Sequence, residues 1–581
     1  MTKMFELNHP GFVFFLVGLF ASMGTPKLRK MILSCGPFVA LFALFNLKVG
    51  TVENLPVLQD WVSHYMYVDN LSWIFVCIFS IMGVLGGIFA CNNRSPLEAF
   101  CSMWYVGASI SVALAQDWIT FLFFWELMAG TSLFLIWNDP RKESRGAGLR
   151  YILMHTLSGN CVLFGVLLKL NQGQNLIENL TNGPHDAAFW LILIGVCINA
   201  AVVPLHAWLV DAYPSATITG SVFLSSFTTK VAVYALLRIF GGTELLIGAG
   251  VLMALYGALF AVMENDMLKL LSYHIVSQVG YMVAGAGIGT VMAMNGATAH
   301  AFCDILFKSL LFMCCNAIIF ATGVRKINEL GGMGKRYPLV FTCFVVGAFS
   351  ISGIPLFNGF VSKTMTIAGA GEAGLIWVAV LLELASIGTL LSICFKMMYF
   401  IFMAPDKHMA PAKREIPVNM KLAMVLGAFC CTAIGCFPDL LYRFLPFGPV
   451  TFVPYTTGHV VNMFQMTFMA LIPFLLFLPH MEPHTALSLD TDWLYRRPLK
   501  KFFLGCTYLS FGLCKSLGHA WGVGTGQFMD VCNNPMKLLD AKPFRNKKRY
   551  SPDNYRTSIA DTIMIVLTVL FVCIFYFTAK M

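Results

Sequence analysis

Several ionisable residues stand inside long apolar runs, where one charge costs about 2.5–3.5 kcal/mol on membrane-insertion scales. Glu126 lies within FFWELMAG, Lys230 within SSFTTKVAVY, and His300, Asp304 and Lys308 within HAFCDILFK. Lys363 closes SGIPLFNGFVSK, Glu383 and Lys396 share the run 374–403, and His274 lies near the start of its own run. Positions 300, 304 and 308 climb one flank of a helix at about 6 Å per step, a gap that one water bridges. An imidazole, a carboxylate and an amine in a row pass protons when burial brings their affinities together. Lys169 and Arg238, near run ends, read as buried ion pairs or snorkelling side chains. The set as a whole points to a proton or cation pathway. Pro204 and Pro355 break two of the runs, and broken helices point to a transport site at mid-membrane.

The elements that must hold these groups are membrane helices. The 581 residues are 58% hydrophobic and 12% charged, against about 45–50% and 25% in soluble domains, and the mean hydropathy is +0.73. This excludes a soluble globular enzyme, a disordered chain, a coiled coil and a secreted disulfide scaffold. The apolar runs are long rather than alternating, which argues against a transmembrane barrel. The 18 cysteines are scattered and no CxxC occurs, so they read as small apolar residues. Gly285, Gly287 and Gly289 read as packing positions, not as a nucleotide loop. Neither a metal site nor a cofactor site is expected.

Sixteen runs are expected to span: 11–24, 31–48, 72–91, 98–116, 118–137, 151–170, 188–208, 217–240, 246–263, 270–290, 296–322, 338–357, 374–403, 422–437, 457–479 and 558–578. With the N-terminus outside, the inner loops 25–30, 92–97, 138–150, 323–337 and 404–421 hold sixteen Lys and Arg. The outer loops 49–71, 171–187 and 438–456 hold only Arg443, as the positive-inside rule requires. Residues 502–520 are apolar enough to span. Crossing there would carry Lys542, Arg545 and Lys547–Arg549 outside, so 480–557 is expected to stay on the cytoplasmic side as an interfacial segment. It reads either as a linker with one amphipathic helix or as a strut of about 90 Å if some 60 residues are helical.

Four motifs resemble the antiporter-like subunits shared by respiratory complex I, membrane-bound hydrogenases and Mrp-type multisubunit Na+/H+ antiporters. They are PLHAWLVDAYPSATITGSVFLSSFTTKVAVYAL (204–236), DMLKLLSYHIVSQVGYM (266–282), HAFCDILFKSLLFM (300–313) and SGIPLFNGFVSK (352–363). The resemblance covers roughly 95–400, and the wording of the motifs is most similar to the D-type subunit of the Mrp antiporters. It implies an all-α polytopic membrane protein of about 14–16 helices, with two inverted five-helix repeats that each hold a broken helix. The implied divisions are 1–95, N-terminal helices; 96–245 and 246–410, the two antiporter half-units; 411–479, C-terminal helices; 480–557, the interfacial segment; and 558–581, a final helix.

By resemblance, Glu126 is the glutamate of the first half-channel, Lys230 the lysine linking the half-channels, His300 and Lys308 the central axis, and Lys363 the lysine of the second broken helix. Lys396 fits only loosely. Two positions depart from the pattern. Asn199 replaces a lysine expected five residues before Pro204, so Lys230 is an alternative partner for Glu126, or this half-channel is altered or inactive. Asp304 stands where a histidine is usual.

The expected function is a cation- or proton-translocating subunit of a multisubunit antiporter, with Na+ as candidate counter-ion. The alternatives are the proton-pumping membrane module of an NADH-quinone oxidoreductase or membrane hydrogenase, and a structural subunit. Any redox chemistry would belong to partners. Those partners are other membrane subunits and the lipid of an energy-coupling membrane, the bacterial inner (plasma) membrane, and not nucleic acid.

Overall fold

Inside a bilayer the backbone has no solvent to bond to, so apolar runs must satisfy their own N–H and C=O groups as helices. In the computed structural model each of the sixteen runs is helical. The structure describes residues 9–58, 61–405, 414–480, 482, 490, 491, 493, 495–533 and 558–578. The first helices are α1 (Pro10–Met23), α2 (Pro26–Asn46), α3 (Asn70–Ala90), α4 (Pro96–Leu114), α5 (Trp118–Trp137), α6 (Lys142–Asn171) and α7 (Ala187–Asn199). Then come α8 (Ala207–Ala212), α9 (Gly220–Leu224), α10 (Thr228–Ile239), α11 (Leu245–Met263), α12 (Met267–Ile288) and α13 (Val291–Thr322). The later ones are α14 (Met333–Arg336), α15 (Pro338–Ser352), α16 (Asn358–Glu372), α17 (Ile376–Thr389), α18 (Val418–Cys436), α19 (Asp439–Tyr442) and α20 (Thr457–Leu476). Eleven helices among the described residues are long and apolar enough to cross a membrane.

The structure places the two breaks expected at Pro204 and Pro355 and changes three other expectations. The run 188–208 stops as a helix at Asn199, and 338–357 stops at Ser352. The run 217–240 is interrupted too, between Leu224 and Thr228, without any proline. The expected loop 49–71 contains an antiparallel hairpin, β1 (Val52–Leu58) with β2 (Trp61–Tyr67). The run 374–403 leaves the α-helical pitch at Leu390 and continues to Met403 as a wider π-helix.

Both proline breaks hold a non-glycine residue in the left-handed region, Ala201 (φ 58°) and Leu356 (φ 76°). Such conformations persist only where surrounding packing enforces them, and they cluster at functional sites. In the second break a Cβ at Gly359 would run into the Ser350 carbonyl, so a glycine lets α16 begin beside the end of α15. The long α13 is the hub: it packs on α12, α15, α16 and α18 and is buried along most of its length.

Loops gather at two ends. At one, the Arg141 guanidinium donates to the Pro214 carbonyl at 3.2 Å, Arg325 donates to the same carbonyl, and Asp266 pairs in a backbone bridge with Lys326. At the other, Gln116 N–H donates to His64 O at 3.1 Å and Ile177 N–H to Gln116 O at 2.8 Å.

Residues 1–491 form one unit and 492–581 a second. In the second, α21 (Lys500–Asn533) has 34 residues, a length of about 50 Å, and α22 spans Ile559–Thr578. The helix α21 is long enough to cross a bilayer but is not among the apolar candidates. The rest of the expected strut, 534–557, lies outside the described residues.

Candidate ion-translocation site

The helical register of α13 turns His300, Asp304 and Lys308 into the bundle, where all three are fully buried. The interruption before α10 brings Lys230 to them. Its Nζ stands 2.8 Å from Asp304 Oδ2, and it donates to the Ser225 carbonyl that the interruption frees, at 3.0 Å. Lys308 Nζ lies 3.8 Å from Asp304 Oδ1. One carboxylate therefore faces two amines. It balances one ammonium, and a second proton in the cluster is excess charge in a medium that penalises charge strongly.

From Asp304 the row continues toward α16. His300 Nδ1 is 3.0 Å from Ser362 Oγ, and the His300 and Tyr281 rings are 5.6 Å apart. Lys363 Nζ sits over the Tyr281 ring, 4.9 Å from its centroid, an attraction a desolvated cation makes with an aromatic face. Lys363 Nζ has no hydrogen-bond partner among the described residues. The Tyr281 hydroxyl donates to Leu382 O at 2.6 Å and lies 2.8 Å from Ser386 Oγ. His274 Nε2 is 2.7 Å from Ser392 Oγ, within electrostatic reach of Lys308 and Lys363.

A cavity of about 280 Å³ borders Lys363 and extends past Ser386 and Glu383 to His459 and Asn462. It follows one face of α16 from the break at Gly353 to Gly371. Asn462 donates to Glu383 Oε1 at 2.7 Å.

Two expected pathway residues stand apart from this row. Lys396 donates to the carbonyls of Val262 and Glu264 at 2.7 and 2.6 Å. It caps the end of α11, a common use of a basic side chain. Glu126 lies at the surface of the bundle on α5, against α6 at Gly159, where any Cβ would overlap its carboxylate. Lys230 is thus paired with Asp304, and Glu126 has no ion-pair partner among the described residues. Asn199, at the end of α7, is fully buried, and neither amide atom has a hydrogen-bond partner among the described residues.

One charged cluster gave no sequence signal. Asp490 Oδ1 is 3.2 Å from His206 Nε2 in the first break. Tyr256 and Tyr273 each donate to the same carboxylate at 2.7 Å, and Thr491 Oγ1 donates to Pro204 O at 3.2 Å. Burial by itself raises the Asp490 carboxyl, but the His206 imidazole and the two hydroxyls outweigh it and hold it well below the usual carboxylate range. The residue lies some 280 positions from His206, with nothing around it in sequence to mark it.

Residues 115–392, which contain the whole row, match the family model described as NADH:quinone oxidoreductase/Mrp antiporter, TM. That stretch of the chain is similar to the transmembrane domain of that family. An uncharacterized protein of Methanocaldococcus jannaschii is 27% identical over 414 residues, 67% of this chain and 85% of the relative. The NADH-quinone oxidoreductase subunit M of Pseudomonas aeruginosa is 26% identical over 415 residues, 65% of this chain and 80% of its own. A chain in the structure of the Mrp complex from Dietzia sp. DQ12-45-1b shares the fold, with TM-score 0.69 and 22% identity over 81% of this chain and all of that one. The antiporter-like fold expected from the four motifs is therefore the fold observed. The protein is an integral membrane subunit of this antiporter-like class.

Proposed function

We propose that this chain moves protons across the membrane within a multisubunit cation/H+ antiporter, in the place that Mrp-type complexes give to their D-type subunit. The observation that carries this reading is the buried row from Lys230 through Asp304, Lys308 and His300 to Lys363. Its groups alternate between those that hold a proton as a charge and those that hand it on. The Asp304 carboxylate stabilises an ammonium on one of its two lysines at a time. A proton arriving at one favours release from the other, and the cavity beside Lys363 offers the route away. Coupling to Na+ or another cation enters because a positive charge bound nearby opposes protonation of the row, and the membrane potential supplies about 2.3 kcal/mol per 100 mV for each charge moved across it.

The grouping of Arg141, Arg325, Lys326 and Arg414 at one end of the bundle supports an orientation with that end in the cytoplasm. A second reading is favoured by the similarity to the Pseudomonas aeruginosa NADH-quinone oxidoreductase subunit M: the same row serves as the proton-pumping module of a redox complex whose electron carriers belong to partners.

The test is proton flux in everted vesicles from cells carrying Lys230→Ala, Asp304→Asn or Lys363→Ala. Loss in each, with normal amounts in the membrane, is expected; unchanged flux in all three refutes the reading. Co-purification separates the two contexts: small antiporter subunits for the first, redox subunits for the second.

A further inference from the structure

Between Glu126 and Lys230 the fold places one imidazole. His155 lies on α6 one turn before Gly159, the glycine that the Glu126 carboxylate lies against. It is buried, and neither ring nitrogen has a hydrogen-bond partner among the described residues. Its ring centroid is 4.7 Å from that of Trp208, just beyond the first break, and 4.1 Å from that of Tyr151. Trp208 in turn donates from Nε1 to the Ile198 carbonyl at 3.0 Å, beside Asn199.

Asn199 faces the same region. Ser158 Oγ donates to the Gly195 carbonyl at 2.7 Å, so α7 at 195 is level with α6 at 158. One turn further along α7 is Asn199, and the antiparallel course of α6 puts His155 at that level. The amide of Asn199 carries no proton charge, and it too is buried without a partner among the described residues. Buried orphan groups of this kind ask for water. Tyr151, one turn below His155, lies with Tyr105 and Tyr213 around the start of α10. There Thr228 N–H donates to Tyr105 Oη at 2.9 Å, two residues before Lys230.

We infer that His155 is the proton relay of the first half, passing protons between Glu126 and the Lys230–Asp304 pair where the neighbouring Asn199 cannot. This rests on the proton-transfer reading above. In the step one ring nitrogen binds the incoming proton as a new N–H bond, and the N–H on the other nitrogen breaks toward Tyr151 and α10. A tautomer exchange then returns the ring to its starting state. Charge and atoms balance, and no further reactant enters. An imidazole suits this because one ring nitrogen can take up a proton while the other gives one up.

The test uses the full chain in its native membrane, with proton flux read by a pH-sensitive dye in everted vesicles. His155→Gln, close in size and polar but not protonated, is expected to lower flux tenfold or more. Adding Asn199→Lys, which puts an amine beside the lost imidazole, is expected to restore it to within threefold of the parent. A purely structural histidine would not be rescued by a charge on another helix. Flux within twofold of the parent in His155→Gln overturns the inference, as does a double variant no better than the single. If the single variant fails to accumulate, the double alone decides: flux within threefold supports the relay, and flux ten times lower in chains that do accumulate, or no accumulation, overturns it. Asp304→Asn runs alongside. Flux lost in Asp304→Asn but kept in His155→Gln removes only this inference, whereas flux kept in Asp304→Asn, Lys230→Ala and Lys363→Ala alike removes the transport reading.

Discussion

Asp304 Oδ2 lies 2.8 Å from Lys230 Nζ while Oδ1 of the same carboxylate faces Lys308 Nζ at 3.8 Å, all three side chains fully buried. Two amines from different helices thus share one buried anion. The first lysine reaches it only because the backbone is interrupted between Leu224 and Thr228. This shared anion makes proton occupancy at one lysine depend on the other.

Removing the anion should therefore cost more than removing either cation. Asp304→Asn leaves two buried amines unbalanced, and breaking such a cluster costs about 3–5 kcal/mol. The expected outcome is a lower thermal midpoint for the detergent-solubilised protein together with at least tenfold lower flux. Lys308→Met, which leaves the Lys230–Asp304 contact in place, should lower flux with a smaller loss of stability.

Lys396 should separate structure from transport. Its two hydrogen bonds to the end of α11 are charge-assisted, worth about 1.5–3 kcal/mol each to a buried donor. Lys396→Met is expected to lower the thermal midpoint and the amount in the membrane, while flux per assembled chain stays within twofold. A tenfold loss of flux per chain at normal stability would instead place Lys396 in the pathway.

Glu383 lines the cavity beside Lys363 and is held by Asn462. Glu383→Gln keeps the shape and removes the charge. We expect a threefold or larger fall in flux at unchanged membrane amounts, and Glu383→Asp should recover most of it. Equal flux in all three proteins, measured in the same vesicles, would leave the cavity without a part in transport.

The Asp490 contact carries a pH signature. Its carboxyl is depressed in the folded protein, so its stabilising contribution is present above the unfolded value of about 3.9 and is lost as pH falls from there toward the depressed folded value. Asp490→Asn should thus lower the thermal midpoint throughout pH 5 to 8, through the loss of the His206 contact and of the charge-assisted bonds from Tyr256 and Tyr273, the latter worth about 1.5–3 kcal/mol each. Below about pH 4 parent and variant should converge. A difference that grows as the pH falls would contradict the assignment.

The helices and the row on α13 follow from the chain alone, because apolar length and the four-residue step are local properties that need no knowledge of neighbours. His300, Asp304, Lys308 and Lys363 were legible as charges too costly to be incidental, and Pro204 and Pro355 as breaks. The interruption before Lys230 was not legible, because no proline or glycine marks it and packing around Ser225–Phe227 produces it. Which carboxylate Lys230 meets, whether Lys396 joins the row or caps a helix, and how Asp490 reaches His206 across some 280 residues all depend on which faces the helices turn to each other. That choice is made by close packing over the entire bundle. Composition and local spacing carry no record of it, and so the pairing of charges was left to the tertiary fold.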